Sequence, residues 1–176
     1  MKSIVVDAPA KINLSLDITG IRENGYHNID TVMQSVGLCD TVTISRMSGK
    51  GLYISCNQPR IPCDETNYAH IAASRFFERF GRPDTAISID IQKRIPSEAG
   101  LAGGSADAAG VLVGLNGLLD VGADVETLCG LGLTVGADVP FCIMGGTRRA
   151  RGVGEEFSLL PALPPYSSST SSLKSL

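Results

Sequence analysis

The chain has 176 residues, of which 43% are hydrophobic and 19% are charged, and 15 basic against 18 acidic residues give it a formal net charge of −3. This length and composition are typical of one globular domain with its own core and exclude a largely disordered protein. No block of lysine or arginine suggests a nucleic-acid partner, and no apolar run approaches the roughly 20 residues of a membrane span.

The cysteines predict a reducing compartment. They are scattered, odd in number and form no Cys-x-x-Cys pair: Cys39, Cys56, Cys63, Cys129 and Cys142. We therefore expect reduced thiols and a cytoplasmic protein. Because the chain has only two histidines, a zinc site is not expected.

Alternating residues predict a strand near the N-terminus, after a shorter strand over residues 3–7 that Pro9 ends. The apolar face of the longer strand is formed by Ile12, Leu14, Leu16 and Ile18. The opposite face carries the polar residues Lys11, Asn13, Ser15 and Asp17. From the pattern alone, this polar face is either solvated or lines a site.

A turn-rich connection follows over residues 20–27, and Tyr26 and His27 come directly after Gly25. Together they offer a flat ring and a hydrogen-bonding imidazole. They are equally suited to clamp a ligand ring and to cap the sheet.

The next elements are predicted from alternation and from helical spacing. Residues 31–36 and 40–46 read as two strands, and a turn over residues 49–51 leads into residues 52–56 as a hairpin. A helix is expected from Thr66 or Asn67, and residues 81–83 end it.

A glycine-rich loop over residues 96–105 lies between a predicted strand, residues 87–92, and a predicted helix that begins near Ala108. The first turn of a helix has unpaired N–H groups and partial positive charge, so such a loop favours a phosphate. It matches neither the Walker A pattern nor the dinucleotide fingerprint. The alternative is a connector that is simply small and tight.

Further along the chain, Asp124 is expected to cap a short helix over residues 125–131. Asp138 lies in an apolar neighbourhood between Ala137 and Val139. Because an unpaired buried carboxylate is costly, this acid is either paired or functional.

Six segments occur in the order in which GHMP kinases carry them. They are residues 8–14 (APAKINL), 25–27 (GYH), 66–69 (TNYA), 96–109 (PSEAGLAGGSADAA), 136–141 (GADVPF) and 145–147 (GGT). In these segments the chain resembles the GHMP kinase family. The likeness is greatest to those members that phosphorylate a cytidine diphosphate derivative of methylerythritol in the non-mevalonate route to isoprenoids.

The resemblance implies an α+β fold of the ribosomal protein S5 domain 2-like type, with a mixed sheet and helices packed on one face. It implies an ATP-dependent kinase that uses Mg²⁺. The partner it implies is a small substrate with a cytidine diphosphate group, not a nucleic acid or a membrane.

The resemblance also implies roles for single residues. Lys11 and Asp138 would be the catalytic pair, and Asn13, Tyr26 and His27 would contact the substrate. The residues that would bind ATP are Asn67, Pro96, Gly100, Leu101, Ala102, Gly103, Gly104, Ser105, Ala106 and Asp107, with Ser105 also near the Mg²⁺ ion.

Two loop residues depart from the family pattern, because Ala102 replaces a usual glycine and Ala106 a common serine. If position 102 needs a positive φ, its methyl group strains the loop by about 1–2 kcal/mol. We expect weaker ATP binding as a result.

By the resemblance, residues 1–157 form the N-terminal ATP- and substrate-binding domain, and residues 158–176 form a low-complexity tail with little order. We expect the family's second domain to be absent from this sequence. Slow turnover and a homodimer through an uncovered apolar face are then expected. Two alternatives stay open: a nucleotide-binding fragment without turnover, and a kinase for another small alcohol.

Overall fold

The computed structural model describes residues 2–21, 25, 27–81, 83–152 and 154–164. Within these residues the chain forms six strands and four helices. Their bounds are β1 Ser3–Ile21, β2 His27–Met47, β3 Leu52–Cys56, α1 Tyr68–Phe80, β4 Ala86–Gln92, α2 Gly103–Leu119, α3 Val125–Leu133, α4 Val139–Met144, β5 Thr147–Gly152 and β6 Glu156–Leu159.

The six strands form one mixed sheet that is organised around β2. One edge of β2 pairs with β1 in antiparallel fashion along most of its length. The other edge is shared, because residues 29–34 pair with β5 and residues 41–47 pair with β4. β3 joins β4 in parallel, and β6 joins β5 in antiparallel fashion.

The helices lie on one face of this sheet, and α2 is the central one. It approaches β1 and β2 closely because glycines stand where larger side chains would collide. A Cβ at Gly114 would lie 2.6 Å from Cδ1 of Ile44, and one at Gly110 would lie 3.2 Å from Cγ2 of Val42. The predicted α+β class, with a mixed sheet and helices on one face, is confirmed.

The predicted helices are present, and side chains cap two of them. Asn67 accepts a hydrogen bond from the backbone N–H of Ala69 at 2.8 Å and starts α1. Asp124 accepts one from Thr127 at 2.8 Å and starts α3. The two strands predicted over residues 31–46 are one continuous strand, β2.

The predicted hairpin between β2 and β3 is wrong. β3 pairs with β4, from Leu52 opposite Ile87 to Cys56 opposite Ile91. β4 therefore lies between β2 and β3, although it follows them in sequence, and α1 makes the crossover. The turn before β3 does not show this, because turn chemistry fixes a change of direction and not the identity of the paired strand.

β1 also differs from its prediction, since it runs through Pro9 and does not end there. Proline is tolerated because β1 is an edge strand and its register shifts between Pro9 and Lys11. A second shift follows between Asn13 and Ser15. Beyond this bulge the predicted apolar face is not buried, and its exposed members are Leu14 (46%), Leu16 (57%) and Ile18 (66%).

Near the C-terminal end, the chain stays ordered past residue 157. Ser158 and Leu159 belong to β6, and the backbone N–H of Leu160 donates to the carbonyl of Thr147 at 3.0 Å. Most of the predicted tail, residues 165–176, lies outside the described residues.

Three charged side chains are buried where β2, the end of β4 and α2 meet; we call Asp40, Lys93 and Asp107 the buried ion cluster. The ammonium group of Lys93 pairs with Oδ2 of Asp40 and, at 2.7 Å, with Oδ2 of Asp107. Burial raises the pKa of Asp107 to about 7, although Lys93 counteracts it. Two carboxylates therefore share one cation, and the cluster is neutral when Asp107 is protonated.

We expect Lys93→Met to lower the free energy of unfolding by about 3–5 kcal/mol, because two buried carboxylates lose their only cation within the cluster. Lys50→Met is the matched control, since Lys50 is exposed. Urea denaturation followed by circular dichroism measures both variants. Equal stability of the two variants would contradict the structural role of the cluster.

The second prediction concerns the pH dependence of stability. Between pH 3.8 and about 7, Asp107 ionises in the unfolded chain but keeps its proton in the folded one. The free energy of unfolding should therefore fall as pH rises through this window. Asp107→Asn removes this contribution, so the variant should gain stability relative to the wild type as pH rises. Parallel stability profiles of the two proteins would show that Asp107 titrates normally.

Candidate functional site

The glycine loop, residues 96–105, leads from β4 into α2. Three of its residues have left-handed backbone angles: Glu98 (φ 59°), Gly100 (φ 72°) and Ala102 (φ 57°). Position 102 has the positive φ that was the condition for strain in the loop, so the alanine methyl group stands where glycine would be unstrained. These angles curl the backbone ahead of the first turn of α2.

Both sides of the loop are fixed to the sheet. Oδ1 of Asp40 accepts hydrogen bonds from the backbone N–H groups of Arg94 and, at 2.8 Å, of Ile95. The buried ion cluster connects this first part of the loop to α2, because Asp107 of α2 pairs with Lys93. In the middle, the carbonyl of Leu101 accepts from the backbone N–H of Lys11 at 3.1 Å. The loop is therefore held at its beginning, middle and end.

A cavity of about 590 Å³ opens over the loop and the start of α1. This volume is in the usual range for a small-molecule site. Residues from Pro96 to Ser105 form one wall, and Asn67 and Tyr68 form part of the other. The N-terminal turn of α2 contributes unpaired N–H groups and partial positive charge to it.

Lys11 and Asp138 lie beside this loop, although 126 positions separate them in sequence. Nζ of Lys11 is 3.7 Å from Oδ2 of Asp138, and the side chains are 10% and 33% exposed. The Lys11 ammonium group donates to Oδ1 of Asn13 at 2.6 Å. The two side chains therefore meet next to the loop, although neither residue is among those that line the 590 Å³ cavity.

The turn before α4 brings Asp138 to the loop. A Cβ at Gly136 would lie 3.7 Å from Oγ of Ser105, so this turn is packed closely against the start of α2. Phe141, one turn into α4, is fully buried and packs with Met33 and Ala150 of the sheet. The short helix is thereby fixed, and Asp138 at its N-cap faces Lys11.

Cys142, on the next turn of α4, does not supply a nucleophile. Burial first, and the charge of Asp138 second, raise the pKa of its thiol to about 12. Only the thiolate is reactive, so thiol chemistry is excluded at neutral pH.

Other predicted site residues have structural partners. The side-chain amide of Asn67 caps α1 and donates to the carbonyl of Pro62 at 2.6 Å, which leaves one amide proton for a ligand. Asp107 is occupied with Lys93 inside the buried ion cluster. Their contacts with ATP stay predictions. His27 is the exposed first residue of β2, and Tyr26 lies outside the described residues.

Sequence reasoning missed Asp40 and Lys93, which hold the glycine loop. A signal for Lys93 was available, because it continues the inward alternation of Ile87, Ile89 and Ile91. A lysine in phase with buried residues predicts a buried ammonium group that needs carboxylates. Asp40 carried a weaker signal, as an acid between two apolar strand segments.

Two kinds of feature are absent from the part of the chain that the structure describes. No cluster of three or more His, Cys, Asp or Glu side chains that would hold a metal ion is found there. No helix in the same residues is long and apolar enough to cross a membrane.

Comparison with known proteins gives consistent results. Residues 67–146 match the model of the GHMP kinases N terminal domain. The 4-diphosphocytidyl-2-C-methyl-D-erythritol kinase of Acetivibrio thermocellus is 46% identical over 162 residues, which cover 92% of this chain and 56% of the relative. That of Acaryochloris marina is 48% identical over 164 residues, covering 93% and 52%.

A crystal structure of 4-(cytidine 5'-diphospho)-2C-methyl-D-erythritol kinase superposes with a TM-score of 0.78 at 41% identity, covering 92% of this chain and 56% of that one. The chain thus spans about half the length of the curated relatives it matches. The family model covers the glycine loop and Asp138, and the matches to the two relatives extend over 92% and 93% of this chain. Residues 67–146 thus match the N-terminal domain of GHMP kinases, and the chain is similar in sequence and fold to kinases of this family over about half of their length.

Proposed function

We propose that this chain binds ATP and phosphorylates 4-diphosphocytidyl-2-C-methyl-D-erythritol on its 2-hydroxyl group. The observation that carries the proposal is the position of Lys11 and Asp138, whose side chains lie 3.7 Å apart next to the glycine loop. The substrate is inferred from the relatives, whose names specify it. The whole activity is a proposal, since the chain corresponds to about half of each relative.

The cavity over the glycine loop suits the phosphates of a nucleotide. Gly103 and Gly104 lead into α2 without side chains, and the helix directs its unpaired N–H groups into the same space. Ser105 adds a hydroxyl group in this first turn. An ATP phosphate chain along residues 100–105 would bring its terminal phosphate toward Lys11, because Leu101 and Lys11 are hydrogen-bonded neighbours.

Mg²⁺ fits this site only as a companion of the nucleotide. Among the described residues no carboxylate cluster would hold the ion by itself. Mg²⁺ prefers few protein ligands together with phosphate oxygens and water, which is compatible with the single hydroxyl of Ser105. We propose that Ser105 is the side chain nearest the ion.

Lys11 and Asp138 have complementary roles in the proposed reaction. ATP, when bound, supplies the phosphoryl group. The Asp138 carboxylate accepts the proton of the acceptor hydroxyl while that oxygen bonds to phosphorus and the bond to ADP breaks. The Lys11 ammonium group offsets negative charge on the transferred group. Positioning and electrostatics carry most of the catalysis in such transfers.

Substrate contacts are proposed for Asn13, Tyr26 and His27. Asn13 hydrogen-bonds to Lys11, which places its amide near the acceptor hydroxyl. His27 is exposed at the start of β2, where its imidazole is accessible to a cytosine ring. A substrate without a cytidyl group, such as homoserine, is the discriminating comparison for this assignment.

The nucleotide site is tested by Gly103→Ala. Its Cβ would lie 3.1 Å from both Nζ of Lys93 and Cγ2 of Ile95, so the start of α2 must shift. We expect this substitution to weaken ADP binding by about tenfold or more, which corresponds to about 1.4 kcal/mol or more. Gly130→Ala on α3 is the control, because its Cβ would meet open space. Isothermal titration with ADP and Mg²⁺ measures both, and equal affinities would place the nucleotide elsewhere.

The kinase activity is tested by Asp138→Asn in a coupled ADP-release assay with ATP and 4-diphosphocytidyl-2-C-methyl-D-erythritol. Loss of the proton acceptor should lower kcat by about 10²–10⁴-fold. Asp84→Asn, at an exposed acid, should leave kcat unchanged.

The outcomes separate the alternatives. A wild-type chain that binds ADP but releases none above the Asp138→Asn background would support the nucleotide-binding fragment. Turnover with homoserine, but not with the cytidyl substrate, would support a kinase for another alcohol.

A further inference from the structure

A buried hydroxyl lies behind the catalytic pair and has no role in the proposed chemistry so far. Thr31 of β2 is fully buried, whereas most of the buried side chains around it are apolar. In the sheet it lies opposite Leu16 of β1 on one side and opposite Ala150 of β5 on the other. A buried hydroxyl is retained at little cost only when it is hydrogen-bonded, so its partners show what it orders.

Thr31 has two hydrogen-bond partners, and both are on β1. Its Oγ1 donates to the backbone carbonyl of Ser15 at 2.6 Å. It accepts from Nδ2 of Asn13 at 2.7 Å. The register of β1 shifts between these two partners, so the hydroxyl bridges the bulge.

The donor and acceptor groups of these residues determine the direction of each of the three hydrogen bonds. A carbonyl only accepts, so the single proton of Thr31 points to Ser15 and its lone pairs face Asn13. Asn13 must then present its NH₂ group to Thr31 and its Oδ1 to Lys11. This is the orientation that Lys11 needs, since an ammonium group only donates, and the Lys11–Asn13 distance is 2.6 Å.

We propose that Thr31 is a positioning residue that orients the Asn13 amide and, through it, holds the Lys11 ammonium group apart from Asp138. The 3.7 Å between Lys11 and Asp138 is longer than a charge-assisted hydrogen bond of about 2.7–2.9 Å. A direct ion pair would occupy the carboxylate oxygen that has to accept the proton. Bound to Asn13, Lys11 stays available for the transferred phosphoryl group. This role of Thr31 rests on the proposed function.

The test compares Thr31→Val, which keeps the shape and removes the acceptor, with Thr31→Ser, which keeps the hydroxyl. The first readout is independent of activity: solvent exchange of the Asn13 side-chain amide protons by NMR, with the signals assigned from Asn13→Leu. We expect exchange about tenfold faster in Thr31→Val and unchanged in Thr31→Ser, since one hydrogen bond is lost only in the former. Equal exchange in the wild type and both variants would overturn the proposal.

The second readout is kinetic. Thr31→Val should lower kcat by about 10–100-fold, because the Asn13 amide is then no longer held in the orientation that binds Lys11, and a hydrogen bond to a charged group is worth about that factor. The KM for ATP should change by no more than about twofold. In the Asn13→Leu background, Thr31→Val should cause no further loss, because Thr31 acts only through Asn13. Additive losses in this cycle, with unchanged melting temperatures, would show a merely structural threonine.

The test also covers a Thr31→Val variant that does not fold and a wild-type chain that has no kinase activity. If Thr31→Val does not fold, Thr31→Cys replaces it, since sulfur is a weak acceptor of similar size. If the wild-type chain has no turnover with the cytidyl substrate, the proposed function fails. The amide exchange of Asn13 then decides the role of Thr31 alone.

Discussion

The structure depends on one buried ammonium group. Lys93, just after β4, joins Asp40 on the central strand to Asp107 on the central helix, so three elements share one cation. Burying these charges is costly unless all of them are paired, so the three elements have to meet in one arrangement. Asp40 also holds the backbone at the entry of the glycine loop. The geometry of the candidate site therefore depends on a buried ion cluster at the base of the cavity.

A second constraint is the irregular register of β1. The shift between Asn13 and Ser15 moves the alternation by one residue, so Asn13 and Leu16 face the same side, opposite Met33 and Thr31. The bulge separates Lys11 and Asn13, which reach the site, from the other polar residues of the predicted face. Beyond it, Leu16 and Ile18 at the far end of β1 are exposed.

Short sequence patterns predicted those features that depend only on neighbouring residues, such as where helices begin. The helix starts at Asn67 and Asp124 followed from residue chemistry, whereas the possible strain at Ala102 was raised by comparison with the family pattern. The convergence of Lys11 with Asp138 came from family resemblance, because no periodicity brings residues so far apart together. The β3–β4 pairing and the bulges of β1 were missed, since both depend on which strand lies alongside. Lys93 was missed because the predicted strand was ended at residue 92, although Lys93 is in phase with the buried isoleucines.

A crystal structure of this chain with Mg²⁺ and a non-hydrolysable ATP analogue tests the central claim most directly. The account predicts phosphate oxygens about 2.7–3.2 Å from the backbone nitrogens of residues 103–105, and the terminal phosphate next to Nζ of Lys11. It also predicts Asp138 on the side of that phosphate where an acceptor hydroxyl would enter. Phosphates bound away from the glycine loop, or a terminal phosphate out of reach of both Lys11 and Asp138, would contradict it.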